Sequence, residues 1–310
     1  MKRISKIVLA AVFALLGCSA TCEQAKTRKI TLAILGDSLT NCRYQDRLMN
    51  RMREAGFTGY TPVGTHTGYS ASDEKRPDEA AHDGFGGFTY GDFIRRFKFA
   101  EDELMNFQKE AEYEQMKRLG VAKVDKKDWR RVLLKSPLVR FRNGKKTVDV
   151  QAWLDSINGG KAPDFILIQL GNNGICAMTG DIDKRVRDGQ LKDAAELLAK
   201  LREKCPESVI GFVSPFPGSD KEDDFTRNYK GAITRDGARK ALGRFRELLR
   251  MWVADKNDPK VRFIDLWDKV DPARDYINAL HFNASGAVHI GDALFDWLSA
   301  FLRVCGDRAR

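Results

Sequence analysis

The sequence predicts an α/β domain in which a parallel central sheet is flanked by helices on both faces. The chain has 310 residues and is 43% hydrophobic, which is sufficient for one large core. Short β-rich apolar runs alternate with helical stretches, a pattern typical of parallel sheets. No run approaches the roughly 18 apolar residues of a membrane-spanning helix, so a polytopic membrane protein is excluded.

The N-terminus is predicted to be an export signal. A basic start precedes the ten-residue apolar stretch 7–16, which is too short to span a bilayer. The basic residues are Lys2, Arg3 and Lys6. Removal of residues 1–17 takes away three positive and no negative charges, so the formal net charge falls from +10 to +7.

The motif Leu15-Leu16-Gly17-Cys18 resembles the lipobox of bacterial lipoproteins, in which cleavage leaves a lipid-modified cysteine at the new N-terminus. We therefore expect lipidation of Cys18, a tether over residues 18–28 and a location in the bacterial cell envelope. There are two alternatives. The chain could be secreted after cleavage at a small residue such as Ala20, or the N-terminal segment could be retained as an anchor.

The remaining elements are predicted in chain order within a domain that covers residues 29–304. Strands are predicted at 29–35, 60–64, 165–170, 208–213 and 261–265. Helices are predicted at 43–55, 92–119, 190–204, 234–253 and 285–304. Residues 70–87 are predicted to form a polar, glycine-rich loop, and the charged stretch 99–135 a helical insertion.

Two polar residues stand just after predicted strands. Ser38 follows the first strand and Asn173 follows the strand at 165–170. Parallel sheets bind ligands at the carboxyl ends of their strands, so both side chains should open onto the same edge.

Four sequence blocks occur in one order. They are Gly36-Asp37-Ser38-Leu39-Thr40, the glycine-rich block 84–89, Gly171-Asn172-Asn173-Gly174, and the block 278–283 that contains His281. Together they resemble the SGNH/GDSL hydrolase family. The resemblance covers about residues 29–304. It implies a three-layer, flavodoxin-like fold and the hydrolysis of carboxylic esters.

The resemblance also implies a role for each block. Ser38 would be the nucleophile and His281 its general base. The Ser38 and Gly87 backbone N–H groups and the Asn173 amide would form the oxyanion hole, with Gly86 as the alternative to Gly87. Taken alone, Ser38 could cap a helix, Asn173 could be a turn residue and His281 a surface histidine.

The chain departs from the family pattern at two positions. Asn278 replaces the usual aspartate three residues before the histidine, and Gly174 replaces the aspartate after the third-block asparagine. An amide can orient an imidazole but cannot stabilise its charged form. Asn278 itself, Asp275 or a backbone carbonyl could orient His281; otherwise the chain would be a slow or inactive homologue.

The sequence therefore predicts an exported serine esterase whose first expected substrate class is acetylated carbohydrate. A lysophospholipase or thioesterase and a non-catalytic glycan-binding protein are the alternatives. No metal or organic cofactor is implied. The expected partners are a small-molecule or polysaccharide ester and the membrane that holds the lipid anchor. No signature of a nucleic-acid-binding module occurs in the sequence, and no nucleic-acid partner is expected.

Side chains near these blocks have two interpretations. His82 could contact substrate, and four aromatic residues could stack on sugar rings or belong to the core. These aromatic residues are Phe85, Phe88, Tyr90 and Phe216. Apart from Cys18, the chain has five widely spaced cysteines, for which no disulfide pairing can be predicted.

Overall fold

The structure is a computed structural model that describes four segments of the chain. They are residues 29–67, 79–95, 136–142 and 145–308. The expected signal peptide, Cys18, the tether and the predicted insertion at 99–135 lie outside these segments.

A seven-stranded, mostly parallel sheet forms the centre of the domain. Its strands are β1 (Ile30–Gly36), β2 (Tyr60–Val63), β3 (His66–Thr67), β4 (Ala81–Gly84), β7 (Phe165–Gln169), β8 (Val209–Val213) and β9 (Val261–Ile264). The strand order is β3-β4-β1-β7-β8-β9, and β2 pairs with the first half of β1. Only the short β3 is antiparallel to its neighbour. A separate hairpin consists of β5 (Val139–Arg142) and β6 (Lys145–Val148).

The strands β1 and β7 form the middle of the sheet because both are apolar on two faces. All seven residues of β1 and all five of β7 are buried. Alternating residues serve opposite cores: Leu32 packs on one side of the sheet, whereas Ala33 packs on the other. The continuous apolar run that predicted a central strand at 165–170 is therefore confirmed.

Helices cover both faces of this sheet. The main helices are α1 (Tyr44–Glu54), α2 (Tyr90–Arg95), α3 (Val150–Asn158), α4 (Asn172–Ile175), α5 (Ile182–Arg185), α6 (Lys192–Lys204), α7 (Glu222–Tyr229), α8 (Arg235–Ala254) and α9 (Ala284–Arg308). The core on one face contains residues of α1 and α9, and the core on the other contains residues of α3, α6 and α8. The predicted three-layer arrangement is confirmed.

Several elements differ from the expectation. The predicted loop 70–87 contains the buried strand β4, and the helix expected at 92–119 begins at Tyr90 and is described only to Arg95. The sequence does not predict the strand β3, the hairpin, or the helices α3, α4, α5 and α7. In the described part of the chain, no helix combines the length and apolar character needed to span a membrane. Cys42, Cys176 and Cys205 are free thiols.

Candidate active site

Three segments that follow the ends of strands, together with the loop before the last helix, form the candidate site. Ser38 comes two residues after β1, the Gly87 loop follows β4, and Asn173 lies in α4 directly after β7. His281 lies in the loop that precedes α9. Because β1, β4 and β7 run parallel, their carboxyl ends meet at one edge of the sheet, as the sequence predicted.

Ser38 and His281 are in direct contact although 243 residues separate them along the chain. The Nε2 atom of His281 lies 2.8 Å from the Oγ atom of Ser38. Both side chains are partly exposed, so an incoming molecule can reach the pair. A hydroxyl at this distance from an imidazole can pass its proton to the ring as the oxygen attacks an electrophile.

Asn278 determines which nitrogen of the His281 ring carries the hydrogen. Its Oδ1 atom accepts hydrogen bonds from the backbone N–H groups of Leu280, at 3.1 Å, and His281, at 2.9 Å. Both donors require the oxygen, not the amide nitrogen, at this position. The His281 Nδ1 atom is also 3.1 Å from Oδ1 and must therefore donate. Nε2 is then unprotonated and can accept the proton of Ser38.

Asp275, the other candidate orienter, does not contact the His281 ring. Its carboxylate accepts hydrogen bonds from the Asp271 N–H and from His289 Nδ1, both at 2.7 Å. Asp275 thus links the loop that contains His281 to α9, and the structure places Asn278 at the ring nitrogen.

Asn173 faces the same site, whereas its neighbour Asn172 does not. The Asn173 Nδ2 atom lies 3.2 Å from Asp37 Oδ2 and 3.3 Å from the Phe88 carbonyl oxygen. Asn172 is buried and exchanges two hydrogen bonds with the Phe216 backbone. Asn172 therefore fixes α4 to the segment after β8, and Asn173 is the residue that can meet a ligand.

The Gly87 loop is held beside the end of β1, the strand that leads to Ser38. The Phe85 N–H donates to the Gly36 carbonyl at 2.9 Å, and the Phe88 N–H donates to Phe85 in a tight turn at 3.1 Å. Gly87 is exposed and has a φ of +79°, a conformation that residues with a Cβ rarely adopt.

Two titratable groups at the site have shifted pKa values. Burial lowers the pKa of His281, so the neutral imidazole that a general base requires is favoured. Burial raises the pKa of the Asp37 carboxyl to about 7, although the Leu39 backbone N–H opposes part of this shift. Sequence reasoning assigned no role to Asp37; its place between a central strand and Ser38 was the available signal.

The neighbouring aromatic side chains belong to the core. Phe85, Phe88, Tyr90 and Phe216 are at most 5% exposed, so the sugar-stacking interpretation is wrong for these residues. His82 is likewise fully buried, and its Nδ1 atom accepts the Gly84 N–H at 3.0 Å. It supports β4 and has no exposed surface for substrate.

Comparison of the sequence with known proteins identifies the family to which the chain belongs. The sequence model of the family described as "GDSL-like Lipase/Acylhydrolase" matches residues 32–294. A "Multidomain esterase" from Ruminococcus flavefaciens is 24% identical over 155 residues, which are 48% of this chain and 18% of that protein. The chain thus matches less than a fifth of that relative's length.

Solved structures share the fold at low identity. A carbohydrate esterase family 3 protein from Talaromyces cellulolyticus aligns over 88% of this chain and 98% of its own, with 14% identity and a TM-score of 0.53. A mutant acetyl esterase with an acetate ion aligns over 89% of this chain and 99% of its own, with 14% identity and a TM-score of 0.52. These similarities establish the common fold. Since the family match covers most of the sequence, the chain belongs to the GDSL-like lipase/acylhydrolase family.

Proposed function

We propose that this chain is an exported serine esterase that removes acetyl groups from carbohydrate through an acyl-enzyme. The contact between Ser38 Oγ and His281 Nε2 at 2.8 Å carries this proposal. This contact joins a nucleophile to a base whose ring hydrogen is held on Nδ1 by Asn278, so that Nε2 is free to accept a proton.

The chemistry follows from these positions. His281 accepts the Ser38 proton while the serine oxygen bonds to the ester carbonyl carbon, which produces a tetrahedral oxyanion. Donors from Ser38, Gly87 and Asn173 stabilise that charge, and one preorganised donor contributes about 2.7–4 kcal/mol. The tetrahedral intermediate then collapses, and the alcohol leaves with the proton held by His281. A water molecule then gives a proton to His281 and attacks the carbonyl carbon of the acyl-enzyme. The acid is released, and the proton returns from His281 to the Ser38 oxygen.

Two arguments favour a carbohydrate ester. The solved structures with this fold include a carbohydrate esterase and an acetyl esterase. The second argument is the direction of β1: the chain enters it at Ile30, whereas Ser38 lies beyond its other end, so the site and the N-terminal connection are at opposite ends of this strand. A site at the end remote from a membrane anchor is accessible to polymers.

Acyl-chain preference and covalent labelling test the esterase function. We expect hydrolysis of p-nitrophenyl acetate to exceed that of the octanoyl ester, and acetate release from acetylated glycans. A fluorophosphonate should label Ser38. Ser38→Ala should abolish labelling and hydrolysis, while the control Ser156→Ala, on the exposed side of α3, should retain both. A preference for octanoyl ester would indicate a lipid-directed hydrolase, and a folded protein without labelling would indicate a glycan-binding homologue.

We also propose that the mature protein is lipid-anchored through Cys18 in the bacterial cell envelope. The lipobox-like motif at residues 15–18 supports this location. Expressed in a bacterium, the protein should fractionate with membranes, and Cys18→Ser should move it to the soluble fraction or block its processing. Equal partitioning of both proteins, with an unmodified N-terminal mass, would contradict the anchor.

A further inference from the structure

We propose that Asp37 is a positioning residue for the oxyanion hole: its carboxylate holds the side-chain amide of Asn173 in the orientation needed to donate to the oxyanion. This inference rests on the proposed esterase function and assigns a role to a residue that does not itself touch the substrate.

The carboxylate connects two parts of the site. Asp37 has no exposed surface. One of its oxygens accepts the Leu39 N–H at 2.9 Å, and the other accepts from Asn173 Nδ2 at 3.2 Å. The first bond shapes the turn that carries Ser38, and the second fixes the amide of Asn173. A single buried group therefore sets the nucleophile and an oxyanion donor relative to each other.

The second contact of Asn173 explains how its amide can donate to the oxyanion while it stays bound to Asp37. Its nitrogen carries two hydrogens, and besides Asp37 it lies 3.3 Å from the Phe88 carbonyl oxygen. Above its pKa of about 7 Asp37 is ionised, and a hydrogen bond to an ionised carboxylate is roughly twice as strong as one between neutral groups. The bond to Phe88 is thus the one released when the oxyanion forms, while Asp37 keeps the amide in place.

This arrangement predicts a kinetic signature. The oxyanion exists only after Ser38 has attacked, so misorientation of Asn173 should lower kcat and leave KM nearly unchanged. The charge of Asp37 acts in the opposite direction, because a carboxylate near the oxyanion repels it. If repulsion dominated, replacing Asp37 with a neutral residue would raise kcat. Positioning and repulsion therefore predict changes in kcat of opposite sign.

A double-mutant cycle on p-nitrophenyl acetate separates positioning from a purely structural role. We expect Asp37→Asn to lower kcat by about 10-fold or more with KM within about 3-fold, and the same substitution in the Asn173→Ala background to lower kcat by less than about 3-fold. Equal losses in both backgrounds, no loss, or a gain would overturn the proposal.

Asp83→Asn provides a matched control for the loss of a buried carboxylate. Asp83 is equally buried, but it contacts Thr65 and Trp153 and not Asn173. Any reduction in kcat that this control causes should be the same with and without Asn173. If it couples to Asn173 as strongly as Asp37 does, the effect is a general consequence of removing a buried charge, and the proposal fails.

A second measurement needs no substitution at Asp37. The protein for this measurement is ¹⁵N-labelled and carries Ser38→Ala and His281→Ala. The side-chain amide resonances of Asn173 are identified as those that disappear from the NMR spectrum when Asn173→Ala is added. These resonances should shift along one titration curve between about pH 3 and 9, following ionisation of the acceptor carboxylate. An amide whose resonances do not change anywhere in this range would refute the contact. This readout decides the proposal even if the esterase function itself fails, which absence of hydrolysis by the wild-type chain would reveal.

Discussion

Replacing Asn278 with aspartate would restore a charge at one of the two positions where the chain departs from the family pattern. The side-chain oxygen already accepts two backbone N–H groups and lies 3.1 Å from His281 Nδ1. An aspartate oxygen can accept all three hydrogens in the same geometry. The substitution therefore changes the charge next to the ring and leaves its orientation intact.

The size of the effect follows from that distance. An opposite charge within about 4–6 Å of a titratable group shifts its pKa by roughly 1–3 units, and each unit corresponds to about 1.4 kcal/mol. The pKa of His281, lowered by burial in the wild type, should rise in Asn278→Asp. The same carboxylate stabilises the imidazolium formed in the transition state. In serine proteases, the opposite change from aspartate to asparagine costs about 10⁴ in turnover.

The assay is kcat/KM for p-nitrophenyl acetate between about pH 5 and 9. A general base must be neutral, so activity falls as the pH drops through the pKa of His281. Ionisation of Asp37, whose pKa is raised by burial to about 7, adds a second acidic limb that the wild type, Asn278→Asp and the control share. We expect Asn278→Asp to raise the alkaline plateau by about 10-fold or more and to move the acidic limb upward by about one unit or more. Asn278→Ala should lose activity because His281 loses its acceptor.

Asn283→Asp is the matched control for this experiment. It adds the same charge to the same loop, but Asn283 contacts Arg274 and Gly286 and not the His281 ring. Its acidic limb should lie close to that of the wild type. An acidic limb in Asn278→Asp that moves no further than in this control would refute the assignment of His281 as the titrating base. If Asn278→Asp were as inactive as Ser38→Ala, the view that the loop accepts a carboxylate at position 278 would be refuted.

Two further predictions concern stability. Trp153→Phe should lower the free energy of unfolding by about 1–3 kcal/mol, since it removes the indole N–H donor at 3.0 Å from the buried Asp83 carboxylate; unchanged urea denaturation would contradict this. Asp275→Asn should cost about 1.5–3 kcal/mol at pH 7. Burial disfavours the charged form of Asp275, but hydrogen bonds from Asp271 and His289 lower its pKa overall. The stability advantage of the wild type should therefore be full above the unfolded pKa near 4 and vanish as pH falls through the folded pKa; a difference in melting temperature that does not change with pH would contradict the pairing.

The central strands could be predicted from sequence because burial on both faces leaves a continuous apolar run. This is true of β1 and β7, and it places Ser38 and Asn173 at one edge without further information. The strand β4 could not be predicted in this way. Its sequence Ala-His-Asp-Gly is polar, yet its histidine and aspartate are fully buried. Partners distant in sequence, such as Trp153 for Asp83, satisfy these side chains, and no local pattern reports such partners.

The aromatic residues near the second block show a related limit. Phe85 and Phe88 stack on each other with ring centroids 4.9 Å apart, beneath an exposed Gly87. A short segment that alternates glycine with phenylalanine is compatible with a ligand platform and with a plug that fills the core. Only the direction of the turn decides between them, and here the Phe85 N–H bond to Gly36 aligns the loop so that both rings face inward.

The choice between Asn278 and Asp275 as the partner of His281 is decided by the backbone of one loop. A carboxylate is chemically the better partner for an imidazole, which favours Asp275 when only residue types are considered. In the structure, Tyr276 pairs with Phe282, and the Ile277 N–H donates to the His281 carbonyl at 3.0 Å. These two contacts close a tight loop, and residue 278 lies inside it, where its side chain reaches the ring of His281. The loop geometry, and not the charge, thus selects the orienting residue, so a carboxylate at position 278 is expected to gain activity without any rearrangement of the backbone.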